Sequence, residues 1–281
     1  MKELQQFVKA NSVDEAVKAL SEIENSMIVA GGTDVIVKMR DGKISADALV
    51  DISGIDELRG IKEENGYIVI GGLTCINDIA ASDLIKEKAK VLWDAAQVFA
   101  DSTIRNSATI AGNIVSASPA ADTAPGLLVL NADVILQGAE GERIVPMTEW
   151  YVKRKTVNIA KNEVVKALRF KPIAKSAFKK LGLREAIVIS VLSAGVGFEL
   201  EADGTVKDCR IAMGAEQDVP VRCYNAEKSL IGKKVDEASL DVMAEELQKD
   251  INPHDGAKAS GFYRRNVGVV YLKRAIEAAL A

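Results

Sequence analysis

The sequence predicts an α+β protein of two domains, and three observations carry that prediction. A chain of 281 residues, 48% of them apolar, is long enough for one large or two medium cores. Short helical and strand patterns intermingle as far as Lys171-Pro172. From Ser176 the pattern changes to long, even strands followed by helices, the form of a small α+β domain. The net charge of −4 comes without a basic run, which argues against nucleic acid or an anionic membrane as partner.

Ser12 to Ser21 reads as the first helix. Ser12 and Glu15 make a capping box, and Val13, Ala16, Val17 and Leu20 recur at helical spacing. Met27 to Ala30 is a buried strand ending in Gly31-Gly32-Thr33-Asp34, which opens the helix-like Val35 to Met39. Strand, paired glycines and a helix start suit an anion, because glycine lets backbone N–H groups approach it; a Gly-Gly turn capped by Thr33 or Asp34 would look the same. Neither GxGxxG nor GxxxxGK[ST] occurs in this stretch, so a Rossmann or P-loop site is not indicated there.

Strands follow at Ala48 to Ile52 and Tyr67 to Ile70, then helices at Leu73 to Ala80 and Leu84 to Phe99. Asp101 to Asn131 is rich in Ser, Thr, Gly and Asn, lacks Lys, and runs into the apolar ADTAPGLLVLN, a short buried helix. A loop of this length inside a compact domain points to a ligand. Ala132 to Gln137 and Arg143 to Val145 form a hairpin, Met147 to Tyr151 a helical turn, and Glu163 to Phe170 a strand stopped by Pro172. The second domain carries strands at Ser176 to Leu183, Ser190 to Glu201 and Val206 to Met213, the last two joined at Ala202-Asp203-Gly204. Helices at Asn225 to Ile231, Ser239 to Gln248 and Phe262 to Leu280 finish the chain.

Cys75, Cys209 and Cys223 stand far apart with no CxxC pair, and read as free thiols in a reducing cytosol. The one histidine, His254, lies in the loop-like INPHDGAKAS and reads as an exposed loop residue. No nucleophile, acid–base pair or metal-ligand cluster stands out, so no catalytic residue and no metal site is assigned. The start MKELQQFVKANS has no apolar h-region, and no segment approaches about 18 uninterrupted apolar residues. A soluble, cytoplasmic protein is expected.

Four segments, VAGGTDVIVKMRDG (Val29 to Gly42), SATIAGNIVSASPAADTAP (Ser107 to Pro125), EVVKALRF (Glu163 to Phe170) and SAFKKLGLREAIVISVLSAGV (Ser176 to Val196), carry a resemblance. In order and separation they resemble the FAD-binding medium subunits of the molybdenum hydroxylases, the family of xanthine dehydrogenase and aerobic carbon monoxide dehydrogenase. The resemblance implies a two-lobed FAD-binding domain of the vanillyl-alcohol-oxidase (PCMH) type over residues 1–173, its lobes about 1–54 and 55–173. A C-terminal domain of the CO dehydrogenase flavoprotein type, a three-stranded antiparallel sheet with helices, would fill 174–281.

The family's first pyrophosphate loop falls on Ile28, Val29, Ala30, Gly31, Gly32, Thr33, Asp34 and Val35. Its second falls on Ala108, Thr109, Gly112 and Asn113, continuing to Ser116 and Asp122. Asp122 would hold ribose hydroxyls, and would serve equally as a helix N-cap. Phe99 matches the position that packs on the isoalloxazine, Val165 one near the adenine, and Lys179 one near the flavin dinucleotide. The family's paired glycines in the second loop are replaced by Ala111-Gly112, a methyl group that negative φ at Ala111 would accommodate. Relatives with an inserted four-cysteine cluster are excluded by the sparse cysteines.

By resemblance the chain is the flavin component alone. It would take electrons from the [2Fe–2S] clusters of one partner subunit, reduced by a molybdopterin subunit, and pass them through FAD to NAD⁺ or another acceptor. The alternatives from other classes are a stand-alone FAD-dependent oxidase, which would need its own base beside the flavin, and a non-catalytic nucleotide-binding module.

Overall fold

The computed structural model describes residues 4–184 and 188–281. Residues 1–3 of the N-terminal segment and 185–187 of the fourth matching segment lie outside the described residues.

The chain begins with β1 (Gln6–Lys9), α1 (Val13–Glu22), β2 (Ser26–Val29), α2 (Val35–Arg40) and β3 (Ala48–Asp51). β3 lies between β1 and β2 and pairs parallel with both. Val13, Ala16, Val17 and Leu20 of α1 bury against Val50, Ile52 and Leu58. The expected capping box is offset by one residue: Ser12 Oγ accepts from Glu15 N–H at 3.2 Å, while the Glu15 carboxylate accepts from Asn11 N–H at 2.8 Å.

β4 (Ile61–Glu64) and β5 (Tyr67–Gly71) lead into six short helices: α3 (Ile76–Ala81), α4 (Asp83–Lys88), α5 (Lys90–Gln97), α6 (Ser102–Arg105), α7 (Ile110–Val115) and α8 (Thr123–Val129). Then come β6 (Asp133–Gly138), β7 (Gly141–Pro146), α9 (Met147–Trp150), the small hairpin of β8 (Tyr151–Lys153) and β9 (Thr156–Val157), and β10 (Val164–Phe170). The five-stranded sheet runs β4-β5-β10-β6-β7, antiparallel throughout. Its core joins Ile68, Ile70 and Leu168 of the sheet to Leu92, Leu127 and Trp150 of the helices. The Trp150 indole N–H is satisfied by the Ile114 carbonyl at 3.2 Å.

Two expectations change here. The single helix from Leu84 to Phe99 is divided at Ala89, because the Lys88 carbonyl accepts from Ile173 N–H and the Leu92 N–H turns back to Ala89. The stretch Asp101 to Asn131, expected as a loop with one helix, holds three: α6, α7 and α8.

The last part has β11 (Lys175–Leu181), β12 (Leu192–Leu200), β13 (Val206–Gly214) and β14 (Val221–Arg222), then α10 (Tyr224–Leu230), α11 (Glu237–Asp250) and α12 (Gly261–Leu280). The sheet has four antiparallel strands, not three. β14 is two residues long, too short to show a period-2 pattern. Strand alternation gives the sheet two distinct faces. Ala177, Ala194, Val196, Ile211 and Met213 pack with Leu272 and Ile276 of α12. Phe178 and Ala212 join the core of the preceding sheet instead. On that second face β12 carries Gly195 and Gly197, where an added Cβ would lie 3.2 Å from Val91 and 2.8 Å from Val129. Glycine there lets the sheet sit close on α5 and α8.

Glu216, just after β13, is fully buried, and neither carboxylate oxygen has a hydrogen-bond partner among the described residues. Burial pushes its carboxyl up to about 7 against the opposing pull of Arg264 and Arg265. A raised carboxyl favours the folded state while protonated, so this contribution is present below the unfolded value and is lost as pH rises through about 7. Glu216→Gln is therefore expected to be more stable than wild type at pH 8, by no more than about 3 kcal/mol, with the gap closing by pH 5. Denaturant midpoints at the two pH values check this.

Candidate functional site

A cleft of about 620 Å3 opens between the loop joining β2 to α2 and the segment around α7. This is the size of a small-molecule or cofactor site. Its inner wall is apolar, including Ile28, Ile52, Leu73, Val164 and Val165, with Phe99 at its side. Lys38, Lys43 and Lys155 line it too, and Asp34 is the one carboxylate residue among the described lining residues.

The two loops meet backbone to backbone. A Cβ on Gly31 would overlap the carbonyl oxygen of Ser107, so glycine is required at this contact. Gly32 follows at φ +70°, which turns the chain into α2. Among the described residues, none of the N–H groups of Gly31, Gly32, Thr33 and Asp34 donates to a protein acceptor. Four consecutive free donors beside a cleft form a place for an anion. The Asp34 carboxylate is engaged by Lys38 Nζ at 2.5 Å, and Lys43 pairs with Asp41 at 2.9 Å. Lys155 has no ion-pair partner among the described residues; it stands at φ +60°, its N–H bonded to the Ala117 carbonyl at 3.1 Å.

The start of α7 is built differently. Thr109 Oγ1 accepts from Gly112 N–H at 3.1 Å, Ile110 N–H donates to Thr74 at 3.0 Å, and Ala111 N–H donates to Gly72 at 3.1 Å. Its first N–H groups are thus already used. Gly112 is exposed, and an added Cβ would meet only Thr109 Oγ1, at 2.9 Å. Asn113 Oδ1 accepts from the Thr123 hydroxyl at 2.6 Å, and the Ser116 hydroxyl donates to the Asn113 carbonyl at 2.8 Å. Ala111 does not have positive φ, so its methyl is accommodated as expected.

Of the 17 residues singled out in the sequence, the cleft brings together Ile28, Ala30 and the run Gly31 to Val35, and across from them Phe99, Ala108, Thr109, Gly112, Asn113, Ser116 and Val165. Val29, Asp122 and Lys179 are not among its walls. Val29 ends β2 and is buried. Asp122 precedes α8 but makes no side-chain cap, contrary to the N-cap expectation. Its carboxylate is occupied instead by Lys180 Nζ at 2.7 Å and the Ser190 hydroxyl at 2.6 Å, and burial pushes it above the usual carboxylate range. Lys179 alternates with Ala177 onto the α12 face, whereas Lys180 alternates with Phe178 toward the cleft-bearing part.

Sequence reading missed Gly72, Leu73, Lys38, Lys43 and Lys155 as wall residues. Gly71-Gly72 at the end of β5 repeats the strand-then-paired-glycine pattern of the first loop and was the available signal. Gly72 needs its missing side chain because a Cβ would overlap the Val165 carbonyl.

An α+β frame with an apolar cleft, a row of free backbone N–H groups and a lysine-bearing rim defines a binder of an anionic cofactor with flat apolar rings. Comparison with known proteins makes this specific. The family described as FAD binding domain in molybdopterin dehydrogenase matches residues 2–170, and the CO dehydrogenase flavoprotein C-terminal domain matches 176–279. The glyceraldehyde dehydrogenase medium chain of Sulfolobus acidocaldarius is 31% identical over 96% of both chains. The xanthine dehydrogenase FAD-binding subunit of Escherichia coli O157:H7 is 28% identical over 98% of this chain and 96% of its own. A solved carbon monoxide dehydrogenase chain from Hydrogenophaga pseudoflava superimposes with a TM-score of 0.95 at 27% identity, covering 100% of this chain and 98% of that one. The chain belongs to the FAD-binding medium subunits of the molybdenum hydroxylases.

The two loop glycines are expected to separate in their effects. Gly31→Ala sets a methyl against a backbone carbonyl and should lower stability by about 1–3 kcal/mol. Gly112→Ala meets a single hydroxyl and should cost less than about 1 kcal/mol. Urea unfolding of the two variants measures the difference.

Proposed function

We propose that this chain binds FAD in the cleft and serves as the electron-transferring flavin component of a multi-subunit molybdenum hydroxylase. The observation that carries the reading is the row of free N–H groups from Gly31 to Asp34, set beside an apolar wall. Those donors suit a pyrophosphate, with Lys155, which has no ion-pair partner among the described residues, adding positive field, and the apolar wall suits the rings. Phe99 would flank the isoalloxazine and Val165 the adenine. Val29 and Asp122 would hold their loops from behind. The proposed boundaries are 1–173, with lobes 1–54 and 55–173, and 174–281.

Bound FAD would supply the redox chemistry, receiving single electrons and giving up a pair. The chain's own residues bind and orient it and cover its rings; none need act as acid or base. We take the electron source to be a partner with [2Fe–2S] clusters, supplied in turn by a molybdopterin subunit, and the acceptor to be NAD⁺ or another acceptor. Relatives designated medium chain or FAD-binding subunit support the multi-subunit part of this reading. A stand-alone oxidase would need a base at the flavin, and the one carboxylate among the described lining residues, Asp34, is held by Lys38. No helix among the described residues is long and apolar enough to cross a membrane.

Two outcomes test this. Purified chain should carry FAD and oxidise NADH with a dye as acceptor; a chain that neither carries nor takes up FAD would overturn the reading. Gly112→Val should be folded but colourless, because an added Cβ meets only Thr109 Oγ1 and the position lines the cleft. Retention of full flavin by that variant would remove Gly112 from the site.

A further inference from the structure

Lys180 is a buried cation at the contact between the C-terminal sheet and the preceding helices, its side chain 4% exposed. Strand alternation turns it, with Phe178, off the C-terminal sheet and onto the end of α5. There its ammonium donates to the Val98 carbonyl at 3.1 Å and to Asp122 Oδ2 at 2.7 Å. Val98 and Phe99 follow α5, where unpaired helix carbonyls make a negative end that a cation stabilises. From the other side Arg105 donates to the Phe99 carbonyl at 2.9 Å. The next residue, Ala100, has φ +40°, a conformation that surrounding contacts must hold. Phe99 and Ala100 both line the cleft.

We propose that Lys180 is a positioning residue for the flavin. Reaching from the C-terminal sheet, its ammonium fixes the turn that presents Phe99 and ties that turn to the segment leading into α8. The aromatic wall of the cleft is then held by a residue of the other domain. This rests on the reading of the cleft as the FAD site, with Phe99 beside the ring.

Removal of Lys180 alone would leave Asp122 buried with only Ser190, so the informative variant is Lys180→Met combined with Asp122→Asn, which removes both charges. The test uses full-length chain freed of flavin and titrated with FAD, with visible circular dichroism of the bound flavin and thermal unfolding as further readouts. Wild type that takes up no FAD would sink the cleft assignment rather than this role. With wild type binding, the double variant should melt near wild type, yet bind FAD about tenfold more weakly and give an altered flavin dichroism. Lys180→Arg, which keeps a donor at the Val98 carbonyl, should recover most of the affinity. A folded double variant with wild-type affinity and dichroism overturns the proposal. Should the double variant fail to fold, Lys180→Arg decides. Its displaced donors must change the flavin dichroism at unchanged melting temperature, and an identical spectrum overturns the proposal.

Discussion

The contact between Gly31 and the Ser107 carbonyl is the constraint on which the site depends. Two peptide backbones touch with no side chain between them, and this sets how far apart the parallel three-stranded sheet and the helical segment after β5 can stand. Among the described residues the N–H groups from Gly31 to Asp34 have no protein acceptor, whereas the first N–H groups of α7 already donate to Thr74 and Gly72. One loop is therefore a set of donors and the other a filled support. The glycines serve both parts: Gly31 allows the loops to meet, and Gly112 leaves an exposed stretch of the cleft wall without a side chain.

The same close approach recurs where the C-terminal sheet meets the helices. Gly195 and Gly197 of β12 let α5 and α8 lie against the strand, and the Asp122–Lys180–Ser190 group sits at the margin of that contact. A buried ion pair adds little net stability compared with apolar packing of the same volume. It does set direction, because an ammonium that must reach a carboxylate and a helix-end carbonyl allows few arrangements. The C-terminal domain is thereby mechanically joined to the wall of the cleft that carries Phe99.

Much of this was legible in the residues. The paired glycines after β2, the Ser/Thr/Gly run before α8 and the change of pattern at Ser176 each announced their places, since turn chemistry and strand period are local properties. What stayed hidden was set by tertiary contacts. The division at Ala89 arises because Ile173 takes a helix carbonyl from far along the chain. The N-terminus of α7 draws on Thr74 and Gly72, which no local pattern reveals. Asp122 looks like a helix cap in sequence, but its carboxylate points across the domain contact. Lys179 and Lys180 are adjacent in the chain and differ only in strand parity, so their roles are separated by register alone.

In the proposed site the first loop grips phosphate through its backbone while the apolar wall holds the rings. Titrating the flavin-free chain with FAD and with riboflavin, which has the same ring system but no phosphate, tests it directly. FAD should bind at least about a hundredfold more tightly, as expected for several hydrogen bonds to a charged group. Equal affinity for the two would contradict it.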